Sequence, residues 1–157
     1  MSNYYANGKI AIPNVTGNIT ITATAVKSAP TYTNLANPSA ADWVNNARIN
    51  SAGEPVAHDG ATVTNYISCA FNDVVRIKGF GSLTDYRTVF YTGNKVVYSI
   101  ANLVPDGVTH LYSYSYNTIT GVVTLKILKD TVTSVRFSGV LTGAANDVVI
   151  TVNEEIV

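Results

Sequence analysis

The run best equipped for chemistry is His110-Leu-Tyr-Ser-Tyr-Ser-Tyr116. In an extended strand Tyr112, Tyr114 and Tyr116 fall on one face, and Ser113 and Ser115 on the other. Phenol rings in a row present apolar faces with hydroxyl groups at their edges, the combination that holds a sugar ring. The same ladder can instead face a core while the serines face water. That second arrangement is favoured, because sandwich strands bury their larger side chains, and each hydroxyl then needs a partner. Tyr86 and Tyr91 flank the strand that begins at Arg87, and Tyr98 lies in the hairpin that follows. Trp43, the only tryptophan, stands beside Asp42, Asn45, Asn46 and Arg48. It has two readings: a plug for the open end of a sandwich, which is favoured, or a ligand platform. Tyr112, Tyr114, Tyr116, Trp43 and Tyr91 are therefore the candidate carbohydrate-binding residues.

No catalytic constellation accompanies them. Glycoside hydrolysis needs two carboxyl groups facing one bond. Asp42, Asp59, Asp73, Asp85, Asp106, Asp130 and Asp147 are scattered singly, mostly where Asp bonds its own local backbone. Glu154 and Glu155 are adjacent and point to opposite faces of a strand. His58 and His110 are too few and too far apart for a metal cluster, which needs three or four spaced ligands. Calcium held by backbone carbonyls leaves no sequence trace, so a structural ion stays open without being predicted. No nucleophile elbow, phosphate-binding loop or dinucleotide fingerprint is present. Cys69, the only cysteine, lies in an apolar-alternating run and reads as a buried thiol. The expectation is a protein that is not an enzyme, carries no cofactor and has no side-chain metal site.

Composition narrows the partners. Only 13% of the 157 residues are charged, and 10 basic side chains balance 10 acidic ones. Nucleic-acid binding draws on a surplus of Lys and Arg, so it is not expected. No apolar run approaches the roughly 20 residues that span a bilayer, so membrane insertion is not expected either. Val, Ile and Thr dominate and tyrosine occurs 10 times, a choice of residues suited to a pleated, half-buried surface.

The elements that must position these side chains are strands. Lys9 to Ile12 and Asn18 to Val26 alternate around the turn formers Pro13 to Gly17, which predicts an N-terminal β-hairpin over residues 1–27. Residues 28–32 read as a linker stiffened by Pro30. The remaining 33–157 form one domain. In it, Ser39 with Asp42 three residues on predicts a short helical turn, and residues 50–60 a loop. Strands are predicted at 61–68, 73–79, 87–92, 95–100, 110–116, 122–128, 132–140 and 147–155. Thr92-Gly-Asn-Lys95 and Asn117-Thr-Ile-Thr-Gly121 read as tight hairpins. The fold class is all-β, an antiparallel two-sheet sandwich, jelly-roll-like, preceded by the hairpin.

Two stretches carry a family resemblance. Asn7 to Ala25 resembles the closing strands of immunoglobulin-like modules in tailed-phage virion proteins. Residues 33–157 resemble a β-sandwich domain of such proteins, akin to carbohydrate-binding modules. The resemblance runs through Thr33-Asn-Leu-Ala-Asn-Pro-Ser-Ala-Ala-Asp-Trp43, Thr64-Asn-Tyr-Ile67, Asp73-Val-Val-Arg-Ile-Lys-Gly79, Val135-Arg-Phe-Ser-Gly139 and Asp147 to Glu155. It implies a tail, fibre or capsid-exposed virion domain that binds host-surface or mucosal glycans for attachment, beside other virion proteins. The alternatives are a structural or oligomerisation module of a fibre or tail protein, with a trimer as one form of homo-oligomer, and an accessory binding domain of a cell-wall hydrolase. Such signatures specify a fold family and carry no residue-by-residue binding motif.

Overall fold

The structure, a computed structural model, describes residues 5–6, 9–10, 17, 31–81, 87–100 and 109–156. The predicted strand at 18–26, the linker at 28–30 and Tyr86 lie outside the described residues. Near the N-terminus β1 (Tyr5–Ala6) pairs antiparallel with β2 (Lys9–Ile10).

The remaining strands form two antiparallel sheets, the sandwich-like all-β arrangement that period-2 alternation predicts. The smaller sheet has the order β12 (Val149–Val152), β6 (Val74–Lys78), β10 (Val122–Ile127), β9 (Tyr112–Asn117). The larger has the order β3 (Val44–Ile49), β4 (Pro55–Val63), β11 (Ser134–Val140), β7 (Arg87–Thr92), β8 (Lys95–Ile100), with the short β5 (Ile67–Ser68) also on β11. Both tight hairpins form where the turn residues stand, joining β7 to β8 and β9 to β10. Val75 and Ile77 of β6, Val123 and Leu125 of β10, Phe90 of β7 and Val135 and Phe137 of β11 fill the space between the sheets. Each such side chain stabilises the fold by about 1.5–3 kcal/mol.

The N-terminal part of the domain departs from the sequence-based expectation. Residues 38–42 make turns, not a helix: the Ala40 N–H donates to Asn37 O and the Trp43 N–H to Ala40 O, each at 3.0 Å. The Ser39 N–H donates to Asn37 Oδ1 (3.1 Å), and the Asp42 carboxylate accepts the Tyr66 N–H (2.8 Å). The chain then enters β3. Residues 55–60, expected as loop, extend β4, and the expected strand at 61–68 is split between β4 and β5. The β3–β4 register jumps from Asn45↔Thr62 to Ala47↔Ala57, with Asn46 in the left-handed region (φ 52°). This bulge turns the ribbon so that β3 also lies over β11 and β7.

A second core results. Ala47, Ile49, Val63, Val89 and Tyr91 cluster on the outer face of the larger sheet, where Val89 and Tyr91 alternate with inward-facing Phe90. The Ile49 N–H donates to Ser138 Oγ (3.1 Å), and the Tyr91 hydroxyl donates to Gly53 O (3.0 Å) in the β3–β4 turn. Covered on both faces, β7 and β11 are buried almost without alternation.

Three of the stretches that carry the resemblance meet in space. Arg136, buried on β11, donates from Nε to Thr64 O (2.9 Å) and from its guanidinium to Asp42 O. Its charge lies 4.5 Å from the centre of the Tyr66 ring. They hold the loops around residues 42 and 64–66 against the sheet.

Candidate functional site

The tyrosine ladder runs from the core to the rim. Tyr112 is buried and stacks on Phe90 with ring centres 5.2 Å apart and planes at 17°. Tyr114, two residues along the same face, is half-buried against the core. Burial, and then the neighbouring Tyr116, raises the Tyr114 hydroxyl pKa above its ordinary value. Tyr116 emerges, 41% exposed, while Ser113 and Ser115 face water. The core-facing arrangement thus holds at Tyr112 and gives way along β9, which ends the order of its sheet.

The other two candidates lie in the interior. Trp43 packs in the main core and donates from Nε1 to Asn45 Oδ1 (3.2 Å). Tyr91 is 1% exposed and meets Tyr66 edge to face, ring centres 5.0 Å apart. Tyr112, Trp43 and Tyr91 therefore present no ring face to a sugar, and the five candidates are not gathered into one site. Of the five, Tyr116 carries the most exposed ring.

Around Tyr116 the fold builds a groove of about 460 Å³. The end of β6 contributes Lys78, the β9–β10 turn contributes Thr118, Ile119 and Thr120, and the loop before β12 contributes Thr142 and Asp147. The turn is held by Asn117, whose Oδ1 accepts the Ile119 N–H (3.0 Å) and the Thr120 N–H (3.1 Å). That geometry pushes Ile119 outward until it is 94% exposed. Thr142 is fixed by donating from its hydroxyl to Gly79 O (3.0 Å). Gly79 (φ +111°) lets the chain pass beside Val148, whose Cα a methyl group would approach to 2.9 Å. One Asp147 oxygen accepts the Ala144 N–H (2.9 Å), and its other oxygen takes no hydrogen bond from the described residues.

An open phenol ring and an apolar turn residue thus stand beside an ammonium group, threonine hydroxyls and a carboxylate, the mixture of stacking surface and polar handles that a sugar needs. Asp147 is the one carboxylate among the described groove residues. Sequence reasoning missed Ile119, Lys78 and Asp147. The available signal was an isoleucine at the tip of an otherwise polar hairpin.

Comparison with known proteins finds no matching family model, no matching curated protein and no matching solved structure.

Proposed function

We propose that this chain is a non-enzymatic, surface-exposed domain of a tailed-phage virion that binds host-surface or mucosal glycans at the Tyr116 groove. The observation that carries the binding reading is the Tyr116 ring, open to solvent above a groove furnished with Lys78, Asp147 and threonine hydroxyls. The virion placement rests on the resemblance of residues 33–157 to phage β-sandwich domains. One exposed ring supports weak binding per site, and many copies on a particle raise the avidity.

The test is binding of a fluorescent, clustered form of the domain to a panel of cell-wall polysaccharides and mucosal glycans. Saturable binding is expected. Tyr116→Ala should weaken it about tenfold or more, the loss of a ring contact of about 1.5 kcal/mol. Ile119→Ser should weaken it less. No binding by the multivalent form, or binding indifferent to both substitutions in folded protein, overturns the reading.

A further inference from the structure

A second cavity lies where the β3–β4 ribbon meets the start of β7. Its volume is about 380 Å³, and its lining includes Arg48, Asn50, Ser51, His58 and Arg87 over the apolar Ile49. The chain as a whole is charge-balanced, so the gathering of two arginines and a histidine is a local feature. No carboxylate lines the cavity among the described residues; Glu54 and Asp59 of the same ribbon are not part of its wall. The ion pair found among the described residues joins Arg76 to Glu155 elsewhere.

Arg87 is held at the edge of this cavity by the start of β7. It opens β7 opposite Ser138, on the side of the sheet that also carries Val89 and Tyr91. Its Nε is sealed from solvent and has no hydrogen-bond partner among the described residues. A buried donor left unmade costs about 1–3 kcal/mol. Desolvation, and then the like charge of Arg48, lowers the Arg87 pKa. Two guanidinium groups at one cavity, with no carboxylate in its described wall, are stabilised together by a group that carries negative charge. Asn50 adds a further donor. Its Oδ1 is occupied by the N–H groups of Ala52 (2.9 Å) and Glu54 (3.0 Å), which leaves its amide nitrogen for a ligand.

We propose that this cavity is an anion-binding site that takes one carboxylate, sulfate or phosphate group of an acidic ligand, with Arg48 and Arg87 as the charged forks and His58 and Asn50 as additional donors. The guanidinium group matches all three anions through paired N–H donors. The apolar Ile49 beside the donors suits a ligand with a carbon body better than a bare ion. The site is separate in composition from the Tyr116 groove and does not depend on the glycan reading.

The test follows the arginine Nε–H signals of the whole chain by NMR during titration with sodium sulfate, inorganic phosphate and glucuronate. Ionic strength is held constant with sodium chloride, and glucose serves as the neutral control. The expected result is a saturable displacement of the Arg48 and Arg87 signals by at least one anion and none by glucose. Arg87→Gln or Arg48→Gln should weaken that anion about tenfold or more, as expected for loss of a charged hydrogen bond. Tyr116→Ala should leave it unchanged, which keeps failure of this site distinct from failure of the glycan groove. Tighter binding of glucuronate assigns an acidic sugar; tighter binding of sulfate or phosphate assigns an oxyanion or its ester. If Arg87→Gln does not fold, Arg48→Gln and His58→Gln on the ribbon carry the same test. A non-saturating response to all three anions, or a saturable one indifferent to the folded substitutions, overturns the proposal.

Discussion

Tyr91 and Cys69 are acids held neutral by burial, and that sets how the fold answers to alkali. Burial, its largest cause, pushes the Tyr91 hydroxyl from 10.0 up to about 12, with the nearby Tyr66 adding to it. Burial, and secondarily Asp73, pushes the Cys69 thiol from 9.0 up to about 12. In each case the folded chain keeps a proton that the unfolded chain releases. Their contribution is therefore complete below about pH 9 and is lost as pH rises towards 12, by up to about 1.4 kcal/mol per pH unit for each group. Chemical denaturation from pH 8 to pH 11 should show falling stability, and the double variant Cys69→Ala, Tyr91→Phe should show a flatter profile. The single Tyr91→Phe change also removes the hydrogen bond to Gly53 O, so it lowers stability at pH 7, where titration plays no part. A pH profile of equal slope in the double variant would mean that other groups govern the alkaline limb.

The β3–β4 ribbon is the element that gives the larger sheet its second core, and Gly53 is where it is pinned. With φ +82°, a β-carbon at Gly53 would lie 2.5 Å from Val96 Cγ2 and 3.0 Å from the Tyr91 hydroxyl. Gly93 has a similar dihedral (φ +56°) but open space around it. Gly93→Ala should therefore cost about 1 kcal/mol from backbone strain alone, and Gly53→Ala about 1–3 kcal/mol more from overpacking. The comparison is read from denaturation midpoints; equal losses would mean that the turn does not bear on the sheet. This ribbon was also the least legible part of the fold. Strands β6 to β12 follow from alternation and turn residues that are local in sequence. In β3, by contrast, Asn46 at positive φ and the bulge around it break the alternation, and the Ser39 and Asp42 spacing imitates a helix start. In β4, Pro55 and Gly60 read as loop, yet Pro55 takes the first strand position, where its missing N–H is tolerated. The candidate groove was half-legible for the same reason. Alternation places Tyr116 on the ladder face, but the order of the strands decides which ring leaves the core, and Lys78 and Asp147 reach the groove only through non-local pairing.

At the scale of the molecule, the described contacts that close the sandwich begin at residue 33. The Thr33 N–H donates to the Glu154 carboxylate, and the Leu35 N–H donates to Ile150 O (2.8 Å). The Asn34 side chain donates to Val148 O (2.8 Å) and accepts the Ile150 N–H (2.9 Å), so this segment is clamped to β12 by its own backbone and amide. Asn65 ties the same segment across to the opposite side by donating to Leu35 O (3.1 Å). The strands β1 and β2, by contrast, pair with each other and, among the described residues, with neither sandwich sheet. A lone ribbon of that kind adds little to the stability of a neighbouring domain. Deleting residues 1–26 removes none of the contacts named above and no residue of the two described cores. The shortened chain should unfold in a single cooperative transition, with the same midpoint and the same denaturant dependence as the full chain. Retained cooperativity would assign the free energy of the fold to residues 33–157. A midpoint lowered by more than about 1 kcal/mol of stability, or a broadened transition with reduced dependence on denaturant, would instead place the first 26 residues within the cooperative unit.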